Sequence, residues 1–148
     1  MGRTIAAVVV GYVVMALLIF VTFTLAYLAM GTERAFMPSS YNPTGLWLAA
    51  SFALGLLASV VGGYVCAAIA TSSKAPKILA GVVFVLGLLM AIPAITAKES
   101  PKVRTSEVSN MDAMMNAVQP TWVTLLNPFI GVGGTLLGAS FKRPRKFM

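Results

Sequence analysis

Apolar positions along this chain fall in long unbroken runs rather than in alternating or short amphipathic patterns. Four windows, 5–30, 46–70, 77–96 and 120–141, each supply about the 20 residues that a helix needs to cross roughly 30 Å of hydrocarbon. Polar segments punctuate them. The segment 31–45 carries Ser39, Ser40, Asn42, Pro38 and Pro43, a composition that interrupts helices. The short TSSKAPK places Pro76 where it suits a first helical turn, and 97–119 holds most of the acidic residues. The pattern predicts an all-α integral membrane protein with four transmembrane helices in an antiparallel bundle, a single membrane domain over 1–148. The first window exceeds the apolar core of about 7 to 15 residues typical of a signal peptide, so it is expected to be retained. Spans two and three, joined by a short turn, are expected to form an antiparallel hairpin, with Pro93 ending or bending the third.

Within the second window small residues recur every four positions, at Ser51, Gly55, Ser59, Gly63 and Ala67. In lipid, apolar burial gives no net drive for helix association, and close backbone approach at such positions takes its place. The row therefore predicts a close-contact seam, inside the bundle or with another subunit. Gly131, Gly134 and Gly138 form a second small-residue surface in the last window, expected to complement the first. Asn127 and Pro128 interrupt that window: the proline leaves a carbonyl in the preceding turn without its usual donor, and the amide is expected at a kink or cavity. Trp47 and Trp122 stand at window starts, where amphipathic rings settle in the headgroup layer.

The polar segment before the last span has a helical half. Val108, Met111, Met114, Met115 and Val118 mark one apolar face, with Asp112 and Asn116 off it, which predicts a short amphipathic surface helix over about 106–118. Thr105 or Ser106 is placed to cap it. The charges Glu33, Arg34, Glu99, Lys102, Arg104, Glu107 and Asp112 read as a solvated mixed-charge face rather than a cation site.

Composition narrows the function classes. Hydrophobic residues make up 58% of the chain and charged residues 10%, with a mean hydropathy of +0.87. The net charge of +7 would suggest nucleic acid on a soluble module, but the basic residues flank apolar windows, where insertion places them. With four spans, one face receives Arg3, Lys74, Lys77, Lys142, Arg143, Arg145 and Lys146, seven basic residues without an acidic one, and the other receives four basic residues, Arg34, Lys98, Lys102 and Arg104, together with all four acidic ones. The positive-inside rule then puts both termini in the cytoplasm, with the basic tail 142–148 touching anionic lipid. A bacterial inner membrane is the expected location.

Histidine is absent, which removes imidazole ligation of haem and zinc and any nucleophile with a His base. Cys66 is the only cysteine and cannot form an internal disulfide. No acidic residue lies within a span, and Lys77 at the edge of the third window is the only basic one, in contrast to the small multidrug exporters with their embedded glutamate. The GLW at positions 45–47 resembles a motif of claudin-like four-helix proteins, but the cysteine pair that accompanies it there is missing, and no functional residue is carried over. No catalytic residue, metal or cofactor is expected. The expectation is a non-catalytic accessory or interaction subunit packing against other transmembrane helices or against itself. The alternative is a small pore or carrier, not ion-coupled, for an uncharged or apolar molecule, with Asn127 and Pro128 lining a cavity beside Ser51 and Ser59.

Overall fold

A computed structural model describes residues 1–70, 72–96, 102–104 and 107–142. Four long helices carry the fold: α1 (Gly2–Met30), α3 (Gly45–Ile69), α4 (Lys74–Thr96) and α6 (Thr121–Ser140). All four are long and apolar enough to cross a membrane. Two short helices, α2 (Thr32–Ala35) and α5 (Asn110–Asn116), lie in the connections. The chain is an all-α, four-span membrane protein with the long helices packed against one another.

Helix boundaries follow local chemistry. Thr44 caps α3 by accepting the Trp47 amide at 3.2 Å. Ser109 caps α5 by accepting the Asp112 amide at 3.2 Å, while its hydroxyl donates to the Asp112 carboxylate at 2.7 Å. This reciprocal use of an N-cap serine and an acid three residues on starts α5 at Asn110, so the helix is shorter than the 106–118 pattern predicts; Thr105 and Ser106 lie outside the described residues. At the other end of the bundle the Arg3 guanidinium donates to the Ile69 carbonyl at 2.9 Å, satisfying one of the carbonyls that a helix C-terminus leaves open.

Chain-adjacent spans run in opposite directions, but spatial neighbours are not simply chain neighbours. Helix α3 packs mainly on α6 and α1, and α4 mainly on α6. Contacts such as Ser59 with Gly134 and Phe52 with Trp122 show that α3 and α6 run parallel. The predicted hairpin of spans two and three is therefore only partly realised: few residues separate Ala70 from Lys74 in the chain, yet α3 and α4 touch little. Leu79 packs with Cys66, Ala7 and Ala75 near the turn; farther along, Val83 lies near Gly131, and Gly87 against Pro128. Small residues explain the choice, since α3 and α6 both carry them and permit the closest approach. Pro93 lies inside α4, which continues to Thr96.

Candidate functional site

Two kinds of contact build the molecule's interior. Around the middle and the terminal end of the bundle, helices meet backbone to backbone. A Cβ on Gly63 would fall on the Thr135 carbonyl oxygen, one on Gly134 on the Ser59 hydroxyl, and one on Gly138 on the Val60 carbonyl oxygen. On the opposite side of α3, a Cβ on Gly62 would lie 2.9 Å from the Gly11 carbonyl oxygen, and one on Gly11 2.8 Å from the Cys66 Cβ. The hydroxyls in this seam are satisfied within their own helices: Ser59 donates to the Leu56 carbonyl at 2.8 Å and Thr135 to the Gly131 carbonyl at 2.7 Å.

The small-residue row of the second span thus divides. Ser59 and Gly63 are buried against α6, whereas Ser51, Gly55 and Ala67 are only half-buried, and a Cβ on Gly55 would meet nothing within 4 Å. Gly131 faces Val83 of α4 rather than α3. Gly11 and Gly62 were not singled out by the four-residue row. Their signal lies in two single four-residue steps between small residues, Ala7 to Gly11 and Gly62 to Cys66, which the structure sets face to face.

Asn127 and Pro128 part company. Pro128 is buried, its ring against Gly87. Asn127 is exposed, and among the described residues none exchanges a hydrogen bond with its amide. Ser59 is closed off against Gly134, and Asn127, Pro128, Ser51 and Ser59 line neither of the two cavities described below. A cavity of about 580 Å³ lies elsewhere, between the cap-side ends of α3, α4 and α6, with Leu48, Ile95, Thr121 and Trp122 among its walls.

The connections at the end opposite the termini fold into a cap. Tyr27 is its hub: its hydroxyl shares a hydrogen bond with Thr32 Oγ1 at 2.9 Å and donates to the Val108 carbonyl at 2.7 Å. Backbone bonds from Arg104 to Ser39 and from Val118 to Tyr41 tie the segment before α6 onto the 31–44 loop. Phe23, Tyr27, Phe36, Tyr41 and Trp47 interlock edge to face at centroid distances of 5.8 to 6.3 Å. Trp47, predicted as an interface anchor, is half-buried in this cluster; Trp122 is 56% exposed, its ring 6.0 Å from Phe52.

One expectation for the cap is corrected. The charges are not uniformly a solvated face: Arg104 is buried and donates to the Glu33 carboxylate at 2.8 Å. That hydrogen bond and the guanidinium's charge hold the Glu33 carboxyl below its ordinary range. The side of α5 that carries the methionines is not the side that packs on the cap rings. Ala113 is buried against Tyr27, Ala35 and Phe36, while Met111, Met114 and Met115 are exposed. A small residue lets the short helix settle on the rings, which turns the long side chains outward. Among the described residues no three His, Cys, Asp or Glu side chains gather into a metal site. Lys142 is exposed at the end of α6; Glu99, Arg143, Arg145 and Lys146 lie outside the described residues. Compared with known protein families, with curated proteins and with solved structures, the chain matches none.

Proposed function

We propose that the protein is a non-catalytic accessory subunit that packs beside other transmembrane helices or beside a second copy of itself. The observation that carries this reading is the exposed Asn127 amide. It sits six residues after the start of α6, about 9 Å along the helix and so at hydrocarbon depth, where lipid tails offer no hydrogen bond. Polar side chains at such depth find partners across helix interfaces, and a carboxamide donates and accepts at once. The glycine seams do not serve this reading, because the bundle itself uses them. The cytoplasmic placement of both termini, and contact of the tail with anionic lipid, rest on the seven basic residues of that face against four on the other.

Gentle detergent extraction followed by native mass spectrometry tests the proposal. Stoichiometric association with larger subunits or copies of this chain is expected, with loss of that association in Asn127→Leu while the bundle still folds. A free monomer carrying only lipid would overturn it. The 580 Å³ cavity favours a second reading, a carrier for an uncharged or apolar molecule. Beneath that cavity α3 and α6 close backbone to backbone, so transport requires those helices to separate, and a reconstituted flux assay with a cross-link between positions 59 and 134 tests it.

A further inference from the structure

Where α5 crosses the flank of α1 there is a second cavity, of about 220 Å³. Its walls include Phe20, Phe23, Tyr27, Phe36 and Trp47, and among the described residues no charged side chain lines it. The edge-to-face packing of Trp47 on Phe23 and Tyr27, and the two hydrogen bonds of the Tyr27 hydroxyl, hold these rings apart, so the space is built in rather than left by poor packing. Ile19 and Phe20 at its inner edge are 36% and 52% exposed on the outer flank of α1, which opens the cavity toward lipid. Two amides stand at its other edge. Asn110 makes only a long bond of 3.3 Å to Thr24 Oγ1 and a 3.8 Å contact to the Met114 sulfur. Gln119 is exposed and exchanges no hydrogen bond among the described residues.

An apolar space of this kind does not hold water well. A charged headgroup would lose hydration there without meeting a counter-charge. We propose that the cavity is a lateral binding site for a neutral lipid, a hydrocarbon chain entering past Ile19 and Phe20 and an uncharged ester or hydroxyl group meeting the Asn110 amide. The residues on which this proposal rests all belong to this chain.

The chain has two tryptophans, of which Trp47 lines this cavity and Trp122 the other. In Trp122→Phe protein in phosphatidylcholine nanodiscs, dibrominated diacylglycerol should quench Trp47 in a saturating manner that unbrominated diacylglycerol reverses. In Trp47→Phe protein the remaining indole should show only a linear rise in quenching. Adding Asn110→Leu to the Trp47 reporter should raise the half-quenching concentration about fivefold, the loss of one net hydrogen bond, with an unchanged circular dichroism spectrum. Linear quenching of both indoles, or equally saturating quenching by brominated phosphatidylcholine, would overturn the site, as would an unchanged midpoint in the Asn110→Leu protein.

Discussion

Toward the terminal end of the bundle, Gly11, Gly62, Gly63, Gly134 and Gly138 bring helix backbones into contact; toward the cap, Phe23, Tyr27, Trp47, Phe52 and Trp122 set helices apart by the thickness of a ring. The two halves answer different solvents. In the hydrocarbon, association depends on dispersion contacts and therefore on how closely backbones can approach. Near the headgroups, polar backbone in the loops needs partners and aromatic side chains are at home, so the cap is held by hydrogen bonds and ring contacts. Both cavities described above lie in the ring-spaced half, because rigid rings do not collapse around the spaces between them.

The largest effect is expected where backbone meets backbone. In Gly63→Ala the new methyl coincides with the Thr135 carbonyl oxygen and comes within 2.7 Å of the Thr135 Cα, and no flexible side-chain end is available to yield. A loss of about 3 kcal/mol, toward the upper end of overpacking costs, should appear as a lowered midpoint in thermal unfolding followed by circular dichroism in detergent. The cavities at the cap end should keep their aromatic near-ultraviolet signal until the bundle itself melts. If Gly63→Ala melts with the wild type, the seam is looser than its geometry implies.

Much of this division is legible in the sequence. The apolar windows fix four spans because their length and lack of charge leave no other solvent for them, and the Gly63, Gly134 and Gly138 spacing marks surfaces suited to close approach. Which surfaces meet is not legible: a small residue permits contact on its face of a helix without naming the partner, so Gly131 turned out to face α4 and Gly55 open space. The cap was less readable still. Glu33 and Arg104 are 71 residues apart, and a mixed-charge loop has the same composition whether its members are solvated or paired. On α5 the methionines mark the outward apolar face in a hydropathy count, but the residue that seats the helix is not legible there: the tight fit onto Tyr27 and Phe36 selects Ala113.

Next in size is the polar hub of the cap. Tyr27→Phe keeps the ring contacts with Phe36 and Trp47 and deletes the hydroxyl that serves Thr32 and the Val108 carbonyl. The cost, about 1 to 2 kcal/mol for hydrogen bonds in a partly buried setting, should fall on the cap alone. Hydrogen exchange of the α5 amides should accelerate by about fivefold or more, while amides of α3 and α6 around Ser59 and Gly134 keep their protection. Equal acceleration in both halves would show that cap and seam unfold as one unit.

A smaller effect belongs to the ion pair. Arg104 holds the Glu33 carboxyl below its ordinary range, so the folded pKa lies under the unfolded one. The sign follows: the pair's contribution is complete above the unfolded glutamate value of about 4.3 and is lost as pH falls through the lower folded value. Glu33 is 70% exposed, and solvent screening keeps the contribution modest. Near-ultraviolet circular dichroism of the cap aromatics should decline below that range in the wild type. In Glu33→Gln the same signal should start slightly weaker and show no such step; an identical step there would assign it to another carboxyl.

The smallest effect gives the sharpest contrast, because it comes from the same row of the same helix. Gly55 and Gly63 are two steps apart in one four-residue ladder, and by sequence each is as good a contact point as the other. The structure gives Gly63 a carbonyl oxygen in the space its Cβ would need and gives Gly55 nothing within 4 Å. Gly55→Ala should therefore leave the melting midpoint unchanged within about 0.5 kcal/mol, or raise it slightly, since alanine restricts the unfolded chain more than glycine does. Thermal unfolding beside Gly63→Ala in the same detergent reads the difference directly. If Gly55→Ala is neutral in detergent but weakens association with copurifying subunits, the open half of the ladder faces a partner. Neutrality in both assays confines the working seam to the half of α3 that already meets α6.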